Sequence, residues 1–143
     1  MRTKNDSLTR GRKAGWTLVE LMLIVAVVGV LAAIVIVSGV LHFLRPEPFV
    51  AIVPDYLPYP LALVYVSGFF EILGGVGLFI PRVRRAAAWG LIALFVAVFP
   101  ANINVAVHGL PFMGEVHPIA NWVRLPFQGV LIAWAYWLTK EDK

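Results

Sequence analysis

Four apolar stretches, each long enough to cross a bilayer, alternate along this chain with short polar connections, and the pattern predicts an all-α membrane protein. Spans are expected at about 17–43, 61–80, 86–105 and 122–138. At about 1.5 Å of rise per residue, twenty helical residues match the roughly 30 Å hydrocarbon layer. The first run exceeds that length, so a tilt or an overhang is expected at one of its ends. Between the first two spans, Arg45, Pro46, Glu47, Pro48, Pro54, Asp55, Pro58 and Pro60 are interleaved with Phe49, Ile52, Tyr56 and Leu57. Prolines this dense forbid a regular long helix, and the aromatic residues among them predict a cap lying at headgroup level.

Composition narrows the class. The chain has 143 residues, 60% of them hydrophobic and 14% charged, with a mean hydropathy of +0.83. Those values describe an integral membrane protein: a basic leader at 1–15, then one domain at 16–143 forming a four-transmembrane-helix bundle. The net charge of +4 does not point to nucleic acid, because the charges gather at span ends. Arg2, Lys4, Arg10, Arg12 and Lys13 precede the first span, Arg82, Arg84 and Arg85 follow the second, and Lys140 and Lys143 follow the fourth. Only Arg45 and Arg124 fall on the opposite side, so both termini are expected in the cytoplasm of a multi-pass protein of the bacterial inner membrane. There is no cysteine, so dithiol chemistry and iron–sulfur ligation are excluded, and any redox role has to borrow its electron carrier.

Against this apolar background the polar residues stand out. Glu71 lies near the middle of LALVYVSGFFEILGGVGLFIP, Leu61 to Pro81. An acidic residue at that depth costs about 3 kcal/mol on insertion scales and is expected to face other helices or a wet cavity. His42, Ser67, Asn102, Asn104, Arg124 and Gln128 all fall in the same outer half of their spans. Ser67 with Glu71, and Arg124 with Gln128, are four apart and share a helix face. Helical side chains lean toward the helix N-terminus, so Glu71 leans outward while His42 and Asn102 lean inward, and the three converge. Arg124 leans toward the surface, and its link to Glu71 is expected through Gln128 or water. Three readings fit: a polar clasp between spans, a pocket in which His42, Asn102, Arg124 and Gln128 donate to the carbonyl oxygens of a quinone or another polar-headed lipid, and a proton or ion path through Glu71. No metal site is expected, since His42, His108 and His117 lack paired ligand spacing. Gly68, Gly74, Gly75 and Gly77 are read as close helix contacts, because no strand precedes them to make a dinucleotide fingerprint.

Two family resemblances follow from longer motifs. GWTLVELMLIVAVVGVLAAI, Gly15 to Ile34, closely resembles the N-terminal signal of type IV pilins and pseudopilins. That resemblance implies cleavage after Gly15, Trp16 as the new N-terminus where the family usually has phenylalanine, and a register-setting role for Glu20. Downstream the chain re-enters the membrane instead of continuing into a polar head. From His42 onward, HFLRPEPFVAIVPDYLP, VSGFFEILGG, PRVRRAAAWGL, VFPANIN and RLPFQ, in that order, look like the DoxX-like family of small bacterial four-helix membrane proteins. Its name derives from a subunit associated with thiosulfate-to-quinone electron transfer. The resemblance implies a quinone-interacting or accessory subunit of a membrane redox system, with no intrinsic cofactor, a membrane redox partner and quinone as the ligand. The competing expectations are a small-solute or proton-coupled carrier, which at this size would act as a homodimer, an assembly factor, and a pilin-like exported subunit.

Overall fold

A computed structural model describes residues 17–111 and 115–140. The basic leader, Gly15 and Trp16 lie outside the described residues. Four long helices and one short one follow in order: α1 (Leu18–Leu44), α2 (Glu47–Val50), α3 (Pro60–Phe79), α4 (Arg84–His108) and α5 (Pro118–Leu138). α1, α3 and α4 are long and apolar enough to cross a membrane, which marks the chain as a membrane protein. α5 is of similar length but carries Arg124, Gln128 and an internal Pro126.

Each boundary has a local cause. Thr17 caps α1 in a reciprocal box: Glu20 N–H donates to Thr17 Oγ1 at 3.2 Å, and Thr17 N–H donates to the Glu20 carboxylate at 2.8 Å. α3 starts at Pro60, whose missing N–H costs nothing in the first turn. Tyr59 before it adopts φ +53°, a left-handed conformation that turns the chain sharply out of the cap. α3 ends just before Pro81, and Arg84 Nε donates to the Leu78 carbonyl at 2.7 Å, answering one of the open acceptors at that helix end. α4 runs past the expected end through both amides to His108, and stops where Gly109 takes φ +59°. α5 begins at Pro118 rather than at Trp122, again with proline in the first turn.

Consecutive long helices pack antiparallel, α1 on α3, α3 on α4 and α4 on α5, and α2 rests on α3. The half of the bundle toward the α3–α4 turn is dry. Val28, Leu31, Ala32 and Val35 meet Leu78, Ala88, Leu91, Phe95, Leu131, Ala135 and Leu138 there. The outward faces are apolar too, with Val25 71% exposed and Phe69 56%, the pattern of a protein whose solvent is lipid. α1 is longer than its neighbours need. Its 27 residues span about 40 Å, and Leu18 to Leu23 stand exposed beyond the first buried position, Val28. The excess length therefore appears as an overhang at the N-terminal end.

The tightest contact is between α1 and α3. A Cβ on Gly39 would lie 2.6 Å from the Gly68 carbonyl oxygen, and one on Gly68 would lie 2.6 Å from His42 Cβ. Farther in, Gly75 sits against Val35 and Ala32 in the same way. Small residues let the two backbones approach, which in lipid replaces the absent hydrophobic drive with packing.

Because the first atom met at Gly39 is backbone, Gly39→Ala is expected to lower the melting temperature of the detergent-solubilised protein, at a cost of about 1–3 kcal/mol. Gly90, with nothing within 4 Å of an added Cβ, is the control: Gly90→Ala is expected to be neutral or mildly stabilising through helix propensity. Equal melting of the two variants by circular dichroism would contradict the close-approach account.

Candidate functional site

Above the dry core the helices enclose a cavity of about 540 Å³. All four long helices and the cap contribute walls. His42 comes from α1, Ser67 and Glu71 from α3, Asn102 from α4, and Arg124 and Gln128 from α5. Asn104 does not line it; its amide turns to the cap and donates to the Ile52 carbonyl at 3.1 Å. Buried Ile52 and Pro54 close the cavity from outside, so residues 45–59 do form a structured cover.

The polar groups divide into two sets. In the first, Asn102 Nδ2 donates to Gln128 Oε1, and Gln128 Nε2 donates to the Phe95 carbonyl. This relay ties α4 to α5. It lies near Pro100, whose ring removes an N–H from the α4 ladder. Ser67 Oγ likewise donates within its own helix, to Val64 at 3.1 Å. The second set joins α1 to α3. His42 Nδ1 donates to the Ser38 carbonyl at 2.7 Å and lies 3.5 Å from Glu71 Oε2. The His42 ring stacks on Phe49 of α2 with centroids 3.9 Å apart, so the cap and the site share a contact. The Ser38 hydroxyl reaches the Glu71 carboxyl as well.

Of the two expected routes from Glu71 to Arg124, through Gln128 or through water, the Gln128 route does not form. Gln128 is engaged with α4, and the ionisable neighbour of Glu71 is His42. Arg124 lines the same cavity and is half-buried. Ser38 is a site residue that the sequence reading passed over, although its spacing of four from His42 puts both on one face of α1. Asn121 was passed over too; at 3% exposure it donates to the Leu110 carbonyl at 3.2 Å and fixes the entry to α5. Glu20 is engaged in the α1 cap, which gives it a local role at its position.

The rest of the cavity wall is apolar, and part of it faces outward. Val66 of α3 and Phe127 of α5 both line the cavity and are 53% and 51% exposed. The cavity is thus open through the side of the bundle, toward the medium that covers those residues. Beyond it lies the dry core, in which Leu31, Leu78, Leu91 and Leu138 are fully buried. A polar wall, an apolar lining and a lateral opening together suit an amphiphile with a small polar head. Among the described residues no group of three His, Cys, Asp or Glu is placed to hold a metal ion.

Residues 31–139 match the model of a family described as a domain of unknown function, DUF8561. The matched segment includes every residue that lines the cavity. No curated protein and no solved structure matches the chain.

The Asn104 contact is expected to hold the cover down. Replacing it, Asn104→Leu, removes one hydrogen bond worth about 1 kcal/mol, so amide hydrogen exchange in residues 46–58 should quicken roughly fivefold while the α1 and α3 amides keep their protection. Exchange unchanged in the cap would mean that the stack of Phe49 on His42 holds the cover alone.

Proposed function

The chain belongs to the DUF8561 family, and we propose that it binds a lipid-soluble, polar-headed ligand of the quinone class as a quinone-interacting or accessory subunit of a membrane redox system. The observation that carries this reading is the single cavity in which His42, Glu71, Asn102, Arg124 and Gln128 meet an otherwise apolar lining that opens sideways. Quinones live in the bilayer, so a lateral entrance at Val66 and Phe127 suits their route in. The carbonyl head finds a cationic donor in Arg124, while the tail needs only the apolar wall. The chain contains no cysteine, so the partner supplies the redox centre and this protein binds and orients the carrier. The resemblance of His42 and the motifs after it to the DoxX-like family points the same way, as an analogy of fold rather than of site.

In this reading α5 is the fourth span, alongside α1, α3 and α4, and both termini face the cytoplasm of the bacterial inner membrane. Arg82, Arg84 and Arg85 at the α3–α4 turn support that orientation. The fully buried apolar core favours a binding role over a carrier, because a path across the bundle would have to cross it. The part played by Glu20 in the α1 cap accounts for this residue without export or filament assembly.

Two experiments test the reading. Quinone and its reduced form, counted together in extracts of protein purified in mild detergent, are expected at near-stoichiometric level, falling about tenfold or more in Glu71→Gln and Arg124→Ala at matched expression and melting temperature. A parent protein free of both forms, with variants that merely melt earlier, would reduce the cluster to a structural clasp. The topology is checked with single cysteines, which the natural sequence lacks. In intact spheroplasts a membrane-impermeant maleimide should label a cysteine at Glu47 and leave one at Arg85 or Lys140 unlabelled. Labelling at Lys140 would remove α5 from the spans.

A further inference from the structure

Among the described residues, Glu71 Oε2 is the one buried side-chain oxygen or nitrogen without a hydrogen-bond partner. The residue is 7% exposed and lines the cavity. Its surroundings present hydrogen to it without completing its needs. The Ser38 hydroxyl reaches the carboxyl, and His42 Nδ1 lies 3.5 Å from Oε2 but gives its proton to the Ser38 carbonyl at 2.7 Å. With Nδ1 spent in this way, Nε2 of the neutral His42 ring is an acceptor as well. Asn102 and Gln128 each give one N–H inside their own relay, and Ser67 gives its hydroxyl to Val64. On the α1–α3 side, then, what is missing is a donor. A ligand that offers only carbonyl oxygens would set acceptor against acceptor there.

We propose that the cavity selects the hydroxyl-bearing, reduced form of its ligand: a lipid-soluble hydroxyaromatic whose O–H donates to Glu71 Oε2. The proposal rests on the reading of this cavity as a site of the quinone class and names which form of that class it holds. The ring lies among Phe49, Phe95 and Phe127, which line the cavity and offer aromatic faces and edges. The hydroxyl oxygen, once its hydrogen is given to Glu71, keeps lone pairs for the Arg124 guanidinium in the opposite wall. The apolar tail leaves past Val66 or Phe127. A hydroquinone gives the orphan acceptor its hydrogen and still offers lone pairs to the guanidinium, whereas a quinone offers lone pairs alone.

The test compares three compounds that share one short alkyl tail: a benzohydroquinone kept reduced under argon, the corresponding benzoquinone, and the hydroquinone dimethyl ether. Each is equilibrated by dialysis with the full chain in detergent. The hydroquinone is expected to bind about tenfold tighter than either of the others, the difference made by one hydrogen bond to a buried carboxyl oxygen that otherwise has no partner. In Glu71→Gln that preference should shrink to about threefold or less, because the amide can turn an N–H to the ligand and so accommodates a carbonyl as well as a hydroxyl. If the variant fails to fold, the comparison on the parent protein decides alone. A quinone that binds as tightly as the hydroquinone, or a dimethyl ether that does, overturns the donor requirement and leaves the quinone-class site standing. Binding of none of the three overturns both.

Discussion

The approach of α1 to α3 at Gly39 and Gly68 is the constraint on which the site depends. Each glycine meets the other helix where a Cβ would not fit, and what Gly68 meets is the Cβ of His42 itself. That contact sets the depth of His42 against α3, one turn from Glu71. Without it the imidazole and the carboxyl, which stand on separate helices, would have lipid-facing options. With it, they share 3.5 Å of space inside the bundle. A packing device at two residues without side chains thus determines an electrostatic arrangement at two residues whose side chains carry the chemistry.

The bundle divides its labour along its length. Toward the α3–α4 turn, Leu31, Leu78, Leu91 and Leu138 fill the space between helices and leave no room for a ligand. Toward the cap, the same helices keep a cavity open, with two separate polar links holding its walls. The amide relay from Asn102 through Gln128 to Phe95 fastens α4 to α5, and the Ser38, His42 and Glu71 group fastens α1 to α3. The Asn102, Gln128 and Phe95 hydrogen bonds stay within α4 and α5, and the contacts of Ser38 and His42 with Glu71 stay within α1 and α3, so the cavity lies between two braced halves. Phe49, stacked on His42, and Asn104, bonded to Ile52, attach the cap to one half each. Cover and walls are therefore coupled through side chains rather than through a continuous backbone element.

Much of this was legible in the chain because lipid simplifies the reading. In hydrocarbon every long apolar run has to be helical, and polar residues inside such runs have few places to go except toward one another. Helix phase alone therefore brought His42, Ser67, Glu71, Asn102, Arg124 and Gln128 to one cavity. What phase does not carry is partner choice. Gln128 is four residues from Arg124 and was expected to bridge to Glu71, yet its amide finds the Phe95 carbonyl and the Asn102 amide on the adjacent α4. That preference depends on which helix is nearest, and α5 packs on α4. Asn104 was misplaced for a related reason. Two residues beyond Asn102, it points to a different face of α4 and meets the cap, a segment without periodicity to reveal where it folds back. The end of α4 was read too early because the amides looked like a terminus, whereas the helix continues to Gly109, the first residue able to adopt a left-handed conformation without strain.

The orphan oxygen of Glu71 separates a clasp from a site. Hydrogen bonds between membrane helices average about 0.6 kcal/mol, and leaving a buried polar atom unpaired costs about 1–3 kcal/mol. On those magnitudes a carboxyl with an open oxygen loosens the bundle by more than one interhelical bond tightens it. A clasp serving stability alone would resemble the Asn102–Gln128 relay, where each amide finds its partner across the interface. Gln at position 71 would serve such a clasp with one fewer charge to desolvate. Glu71 instead sits on the cavity wall, in the half of the bundle that the dry core leaves unfilled. Unsatisfied polarity inside an otherwise well-packed protein is the usual mark of a place shaped for something other than folding. The destabilisation at Glu71 is relieved when a donor arrives, and that relief is binding energy available only to a ligand that carries one.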